Sequence, residues 1–168
     1  NASCEFLRPL ELSNDSIGTS ECIFHSIKEL EKKGKYFDYV YELQPTYVFR
    51  SKNLIQQVGK IMNKSISICT VKKIESTAHP DFYCTIASNK NLSFGKYLPD
   101  KFARQKVRDC YAVVGIVLAS DIELFKEERS FFNKRSLPYI VKNNIELFDI
   151  NTEEDLKIAN NILLTLSK

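Results

Sequence analysis

The sequence has little of what marks the commonest specialised classes of protein. Glycine and proline each occur 5 times in 168 residues, too seldom for low-complexity linkers. No apolar run approaches the roughly 18 residues that a membrane-spanning helix needs, and residues 1–9 lack the basic and apolar segments of a signal peptide. The 24 basic and 21 acidic residues nearly balance. This balance argues against nucleic acids and membranes as partners.

Cysteine is also used in a way that excludes common sites. The five cysteines are odd in number and widely spaced, and no CxxC pair occurs. Only His25 and His79 could complete a zinc site, and both are expected to be structural or surface residues instead. The sequence therefore predicts reduced thiols, mostly packed as small apolar groups, in a cytoplasmic protein.

The length and the apolar content predict one globular domain over residues 1–168. Hydrophobic residues make up 43% of the chain, which is enough for a sizeable core. Alternating or apolar β-forming segments predict strands over residues 38–43, 65–71, 82–87, 92–97, 111–119 and 145–150. Helical spacing predicts helices from Thr19 or Ser20 to a stop at Gly34, over 51–62, over 120–129, and from Asn151 or Thr152 to the carboxyl end.

Strands that alternate with helices predict an α/β fold with a mostly parallel sheet. The run at 111–119 is the most apolar and predicts a buried central strand. In such sheets, ligands bind beyond the carboxyl ends of the strands. This rule indicates three places: the segment after Leu43, the segment after Ala119, and the turn over 149–152.

Three stretches carry a more specific signal. They are Arg-Pro-Leu-Glu-Leu-Ser-Asn-Asp at 8–15, Leu-Gln-Pro-Thr at 43–46 followed by Arg50, and Phe-Asp-Ile-Asn-Thr-Glu-Glu-Asp at 148–155. Arg104-Gln105 and Gly115 lie between the last two. In this order and spacing they resemble the cytidylyltransferases that activate acidic sugars, above all the CMP-sialic acid synthetases. The similarity runs over nearly the whole chain.

The resemblance implies both a fold and a reaction. The fold is a three-layer, Rossmann-like domain of the nucleotide-diphospho-sugar transferase type with a small β-arm. In the reaction, a sugar hydroxyl attacks the α-phosphate of CTP to give a CMP-sugar and pyrophosphate, and Mg²⁺ neutralises phosphate charge. The resemblance also implies a homodimer, with an arm at about 76–99 that reaches the partner's site.

Three residues match nucleotide-side positions of the family. Arg8 corresponds to an arginine near the cytosine pocket; the alternative is a surface ion pair. Thr19 lies where the family has a serine that binds the base, and it would otherwise be a helix N-cap. Gln44 matches a glutamine that helps hold nucleotide and sugar and that we count with the catalytic residues; the alternative is an amide that stabilises the loop.

Three further residues match the sugar and metal positions. Arg104 corresponds to a catalytic-site arginine that faces the acidic sugar, because a guanidinium suits a carboxylate; it would otherwise be a solvated basic residue. Asp149 matches the first of two metal aspartates, and the alternative is a carboxylate at a helix N-terminus. Asn151 stands at the second, where an amide offers an oxygen without charge.

The match also fails at defined places. The basic, glycine-rich loop that wraps the triphosphate in the family has no counterpart in this sequence, so the fold is expected to be N-terminally truncated and this chain alone inactive. Val114, Leu118 and Phe82 replace an asparagine, a tyrosine and a lysine of the family. The alternative function is thus a non-catalytic fragment or relative that dimerises or binds nucleotide or sugar weakly. Sialic, legionaminic, pseudaminic and ketodeoxyoctonic acids all fit an arginine that faces a carboxylate.

Overall fold

A computed structural model describes residues 4–75, 78–95 and 108–166. The helices are α1 (Thr19–Lys32), α2 (Lys52–Ile61), α3 (Ile122–Glu128) and α4 (Glu153–Leu166), with short 3₁₀ turns at Leu10–Leu12 and Pro80–Phe82. The strands are β1 (Tyr39–Glu42), β2 (Ser67–Lys73), β3 (Cys84–Ile86), β4 (Leu92–Phe94), β5 (Tyr111–Asp121) and β6 (Ser136–Ile140). No helix among these residues is both long and apolar enough to cross a bilayer.

The main sheet has the strand order β1-β5-β2-β6. Strand β5 runs antiparallel to both of its neighbours, β1 and β2, whereas β2 and β6 are parallel. Three of the four strands therefore share one direction, although two of the three strand pairings are antiparallel. The carboxyl ends of β1, β2 and β6 lie at the same edge of the sheet as the amino end of β5.

Helices cover both faces of this sheet and make three layers. One core joins α2 to the sheet through Leu54, Val58, Ile68, Ile116 and Ala119, and the other joins α1 and α3 to the opposite face through Ile27, Cys69, Leu118, Ile122 and Phe125. Successive residues of a strand point to opposite faces, so Ile68 and Cys69 enter different cores. The three-layer α/β prediction is thus confirmed.

Strand β5 confirms the predicted central strand but does not run in the predicted direction. Its apolar run is the buried central strand expected at 111–119. Its direction is reversed, however, and Ala119 pairs with Tyr41 and Ile68. The end of β5 therefore lies at the edge opposite the carboxyl ends of β1 and β2, so the rule that indicated a ligand site after Ala119 does not apply there.

The carboxyl-terminal third contains two further corrections. Residues 145–150 form turns and coil rather than the predicted strand, and Glu146, Leu147 and Phe148 close turns through backbone hydrogen bonds of 3.1–3.3 Å. The strand in this region is β6, which no prediction covered and which contains Pro138. Proline is tolerated there because β6 is an edge of the described sheet.

Helix caps agree in part with the predictions. Ser51 caps α2 by accepting from the Leu54 N–H at 3.1 Å, as expected. Helix α1 starts one residue earlier than predicted, because Gly18 is its N-cap and Thr19 is already helical. Asp121 rather than Ser120 caps α3, and it accepts from the Leu124 N–H.

The last helix has a reciprocal cap. The Asp155 carboxylate accepts from the backbone N–H and the hydroxyl of Thr152 at 2.9 and 2.8 Å, and Thr152 Oγ1 accepts from the Asp155 N–H at 3.1 Å. A capping box is therefore present, but it lies one residue later than the predicted pair of Asn151 and Glu154. The Thr152 hydroxyl and the two N–H groups at 151 and 152 lower the pKa of Asp155.

The small β-arm is present as a separate hairpin. Strands β3 and β4 pair only with each other in a two-stranded sheet. All of their residues are exposed, including Ile86 and Phe94. The predicted hairpin at 82–97 is thus confirmed within the described residues, whereas 76, 77 and 96–99 of the expected arm lie outside them.

The cysteines and histidines complete the comparison. All five cysteines are free. Only Cys69 is buried, so the prediction that most of the thiols are packed as small apolar groups is wrong. Burial raises the pKa of the Cys69 thiol to about 11. His79 is structural as expected: its ring accepts from the Asp81 N–H and lies 3.1 Å from the Arg108 carbonyl.

Candidate nucleotide-binding site

The candidate site begins at an irregularity in β5. Cys69 of β2 pairs with Leu118, but Val71 pairs with Val113. One residue of β2, Thr70, therefore faces four residues of β5, and we call these four (114–117) the β5 bulge. A bulge bends its strand and re-aims nearby groups, and such features are common beside functional sites.

The Thr70 side chain substitutes for the missing backbone pairing. Its hydroxyl is fully buried, accepts from the Val117 N–H at 3.1 Å and donates to the Val114 carbonyl at 2.6 Å. Buried backbone groups need partners, and one threonine supplies two of them here. The bulge is therefore a defined conformation, although nothing in the sequence pattern pointed to it.

Gln44 lies against the bulge. Its backbone N–H donates to the Gly115 carbonyl at 3.3 Å, just beyond the end of β1. The side-chain amide rests on the glycine Cα, and a Cβ at residue 115 would lie 1.9 Å from Gln44 Oε1. Gly115 thus leaves the space that the amide fills, which explains why a glycine interrupts the most apolar strand.

Arg50 ties the same loop to the bulge. Its Nη1 donates to the carbonyls of Gln44 and Ile116, each at 3.0 Å. Burial lowers the pKa of this guanidinium. The sequence analysis used Arg50 only as the end of a motif, whereas the structure shows that it stabilises the loop in which Gln44 lies.

Tyr47 and Asp149 stand next to Gln44. The Ile150 N–H donates to the Thr46 carbonyl at 3.1 Å, so the two segments run side by side. The Tyr47 phenol is buried, and its pKa is raised by burial and by the Asp149 charge, while the Gly115 backbone opposes this. The structure therefore gathers the β1 loop, the bulge and the 149–151 turn in one place.

Asp149 has an unsatisfied oxygen. Its Oδ1 is buried and has no hydrogen-bond partner among the residues that the structure describes. Its Oδ2 accepts from the Asn151 amide nitrogen at 3.1 Å. A buried polar atom without a partner is costly, and a bound cation would satisfy this oxygen.

The donor set suits Mg²⁺ in its chemistry. Within residues 4–75, 78–95 and 108–166, no group of three or more His, Cys, Asp or Glu side chains is close enough to form a metal cage. Mg²⁺ does not need such a cage, because it keeps several waters and binds through one or two carboxylates together with phosphates. Asp149, with an oxygen of Asn151, fits this type of ligation.

One residue beside the site was missed by the sequence analysis. Glu42, the last residue of β1, has a partly buried carboxyl, and the side chains of Gln44 and Thr19 act to lower its pKa. Burial has the larger effect and raises the pKa of Glu42. The only available signal was a charged residue within a β-forming segment.

The remaining predicted residues are less closely connected. Arg8 is exposed, and its guanidinium lies 3.2 Å from Ser13 Oγ and 3.7 Å from Cys22 Sγ, which places it against the first turn of α1. Arg104 lies outside the described residues. The structure thus brings the loop of Gln44 beside the turn that holds Asp149 and Asn151, while Arg8 contacts Ser13 and the first turn of α1.

Two of the apolar replacements are core residues. Val114 packs in the core beneath α2, and Leu118 packs in the core beneath α1 and α3. Phe82 is partly buried, with its ring centroid 6.0 Å from that of His79. Val114 and Leu118 therefore contribute to folding at positions where the resemblance implies polar pocket groups.

Comparison with known proteins gives relatives of one kind. No protein-family model matches the chain. CMP-N,N′-diacetyllegionaminic acid synthase of Legionella pneumophila is 22% identical over 165 residues, covering 96% of this chain and 69% of the relative. Pseudaminic acid cytidylyltransferase of Campylobacter jejuni is 23% identical over 160 residues, covering 94% and 68%.

The fold has a solved counterpart as well. The crystal structure of 4-diphosphocytidyl-2C-methyl-D-erythritol synthase from Anaerococcus prevotii superposes with a TM-score of 0.53 at 18% identity, over 88% of this chain and 67% of that one. At this identity the likeness to the solved structure concerns the fold alone. In sequence, the chain is similar to two cytidylyltransferases that act on acidic sugars, as their names state.

Proposed function

We propose that this chain is a nucleotidyltransferase that transfers CMP from CTP to an acidic sugar, sialic acid or a related nonulosonic acid, with release of pyrophosphate. Two relatives whose names specify CMP-legionaminic acid and pseudaminic acid chemistry support this class of substrate. The observation that carries the proposal is the buried, unpartnered Oδ1 of Asp149 beside the loop of Gln44.

Some of the described residues would bind Mg²⁺, and others would position the substrate. Asp149 and Asn151 would hold Mg²⁺, which when bound supplies positive charge for the phosphates. Gln44, fixed by Gly115 and by the Arg50 contact to its carbonyl, presents its amide at the end of β1. Such fixed dipoles orient substrate without reorganisation during the reaction.

The nucleotide side of the site is the region around α1. Thr19 lies at the first turn of α1, and Arg8 lies against the same turn. We assign the base to this region and the acidic sugar to Arg104. Helix N-termini favour anions and present fixed N–H donors, and both properties suit a nucleotide ligand.

The proposal includes a homodimer and a cytoplasmic location. The hairpin of β3 and β4 exposes Ile86, Leu92 and Phe94 by 76%, 56% and 47%, an apolar surface of the kind that partners cover. Five free cysteines agree with a reducing compartment. Light scattering of the wild type and of Ile86→Asp tests the dimer, because a charge at the arm should shift the mass to that of a monomer.

A second candidate function is weak nucleotide or sugar binding without catalysis. The Asn151 amide nitrogen faces Asp149, so the cation site has one carboxylate where the family resemblance implies two. A single carboxylate holds Mg²⁺ less firmly. In this case CTP would bind without being converted.

An activity assay separates the two functions. The chain is incubated with CTP, Mg²⁺ and, in turn, sialic, legionaminic, pseudaminic and ketodeoxyoctonic acids, and CMP-sugar and pyrophosphate are both measured. Equal amounts of the two products with one sugar would support the transferase. CTP binding with no product from any sugar would favour the non-catalytic function, and the absence of binding to CTP and to every sugar would contradict both.

A further inference from the structure

A polar cavity lies between α2 and the edge strand β6, and we call it the α2–β6 cavity. Its volume is about 420 Å³, a size that a small molecule can fill. None of the described residues that we assign to the nucleotide, the sugar or the metal lines it. Polar side chains form much of its lining: Asn53, Gln57, Tyr139, Lys142, Asn143 and Glu146.

Glu146 brings a buried carboxylate to this cavity. The residue is only 7% exposed, and its Oε1 accepts from the Ser51 N–H at 3.1 Å. This contact lies at the N-terminal end of α2, where the helix dipole favours a negative charge. Oε2 accepts no hydrogen bond from a described residue, and the only fully enclosed side-chain oxygen without such a partner is Asp149 Oδ1. Oε2 is therefore an unused acceptor that is open to the cavity.

The charges of the cavity lack partners in the described part of the chain. Glu146 and Lys142 form no ion pair with each other or with any other side chain there. A buried carboxylate is costly unless it is paired and hydrogen-bonded, and one backbone N–H compensates it only in part. An ammonium group of a ligand would supply the missing cation and donor.

Another part of the lining offers donors instead of acceptors. The Tyr139 hydroxyl donates to Gln57 Oε1, so the amide oxygen is engaged and Nε2 keeps its hydrogens for a ligand. Lys142 adds a second donor on an exposed side chain. Gln57 lies six residues after Ser51, or about 9 Å along α2, so the donors are separated from the Glu146 acceptor. Such donors suit a carboxylate group.

We propose that the α2–β6 cavity binds a small zwitterion, whose ammonium group donates to Glu146 and whose carboxylate accepts from Gln57 and Lys142. A zwitterion satisfies both unpaired charges at once. A simple amine would be repelled by Lys142, and a simple acid by Glu146, so the cavity discriminates against both. The proposal goes beyond the proposed function and does not depend on it, because the cavity uses neither CTP nor the sugar site.

A series of amino acids of graded length tests the cavity. Glycine, β-alanine, 4-aminobutyric acid and 6-aminohexanoic acid are titrated into the ¹⁵N-labelled chain, with the amine and the acid of the same length as singly charged controls. We expect at least one zwitterion to shift the backbone amide signals of Ser51 and Asn143 in a saturable way. Its controls should bind at least about tenfold more weakly, the value of one charge-assisted hydrogen bond. No saturable shift with any zwitterion, or equal binding of a control, would overturn the proposal.

Substitutions then identify the two charges. Glu146→Gln retains an acceptor for the Ser51 N–H but removes the charge, and it should weaken the zwitterion by about tenfold or more. Lys142→Gln, at an exposed position, should weaken the zwitterion and strengthen the simple amine, because repulsion is removed. Lys60→Gln, on α2 outside the cavity lining, is the matched control and should change neither affinity. Unchanged zwitterion affinity in Lys142→Gln would overturn the proposal, even if Glu146→Gln fails to fold.

Discussion

The Gln44 amide occupies the place where a Cβ of residue 115 would be, 1.9 Å from its Oε1. This contact joins the loop after β1 to the β5 bulge and makes the shape of the site depend on one missing methyl group. The same two residues also share a backbone hydrogen bond, which the Gln44 N–H donates to the Gly115 carbonyl.

Gly115→Ala should therefore displace the amide. We expect it to remove CTP binding with little loss of stability, because the atoms that must move are the far end of the flexible Gln44 side chain. Calorimetry and urea denaturation measure the two effects. Gly59→Ala is the matched control, because its Cβ would meet Tyr41 Oη at 3.6 Å, and alanine should stabilise α2 by about 1 kcal/mol. CTP binding that is equal in Gly115→Ala and in the wild type would show that the close contact does not shape the site.

Thr70→Val should open the bulge. Valine has nearly the same shape but leaves the Val117 N–H without the hydroxyl that it bonds at 3.1 Å, at a cost of about 1 to 3 kcal/mol. Thr70→Ser keeps the hydroxyl and should cost clearly less. Hydrogen exchange of the Val117 amide provides the local readout, with faster exchange expected only in the valine variant. Equal exchange in the two variants would show that the hydroxyl does not hold the bulge.

Asp149→Asn tests the cation site. In the wild type, Mg²⁺ should raise the melting temperature in the presence of CTP, and the variant should lose this effect because it lacks the carboxylate charge. Without Mg²⁺ the variant should be at least as stable as the wild type, since it removes a buried, unpaired carboxylate oxygen. Glu153→Gln, on the exposed first turn of α4, is the control. The same Mg²⁺ effect in Asp149→Asn would remove the metal assignment.

Glu42 should make stability depend on pH. Its pKa is raised in the folded state, so its contribution is fully present below the unfolded pKa of about 4.5 and is lost as the pH rises through the folded value. Glu42→Gln cannot ionise. Its melting temperature should therefore rise relative to the wild type as the pH increases from below about 4.5 through the raised, folded-state pKa of Glu42. A constant difference across this range would contradict the burial of an ionised carboxyl.

The sequence predicted most of the fold through apolar periodicity. Residues 111–119 are apolar enough to identify the central strand. The direction of a strand depends on the connection that leads into it, which composition does not reveal. Here the connection from β2 to β5 includes the β3–β4 hairpin and the residues around it. The segment at 145–150 has the composition of a strand, yet it forms turns. The strand of that region is β6, which contains Pro138. Because proline is disfavoured in strands, strand propensity does not predict this edge strand.

The candidate site was named from the sequence only where the resemblance supplied a residue. Gln44, Thr19 and Asp149 came from motifs, and their roles stay predictions. The role of Thr70 depends on the pairing of β2 with the distant strand β5, which a single sequence does not display. Arg50 is intermediate, since the motif includes it but only the structure shows its two carbonyl partners.

The most direct test of the account is a calorimetric titration of the chain with CTP, with and without Mg²⁺, and with ATP as the control. The account predicts CTP-selective binding that Mg²⁺ strengthens, because we propose that the base binds at Thr19 and the cation at Asp149, whose buried Oδ1 lacks a partner among the described residues. Equal binding of CTP and ATP, or no binding at millimolar CTP with Mg²⁺, would contradict it.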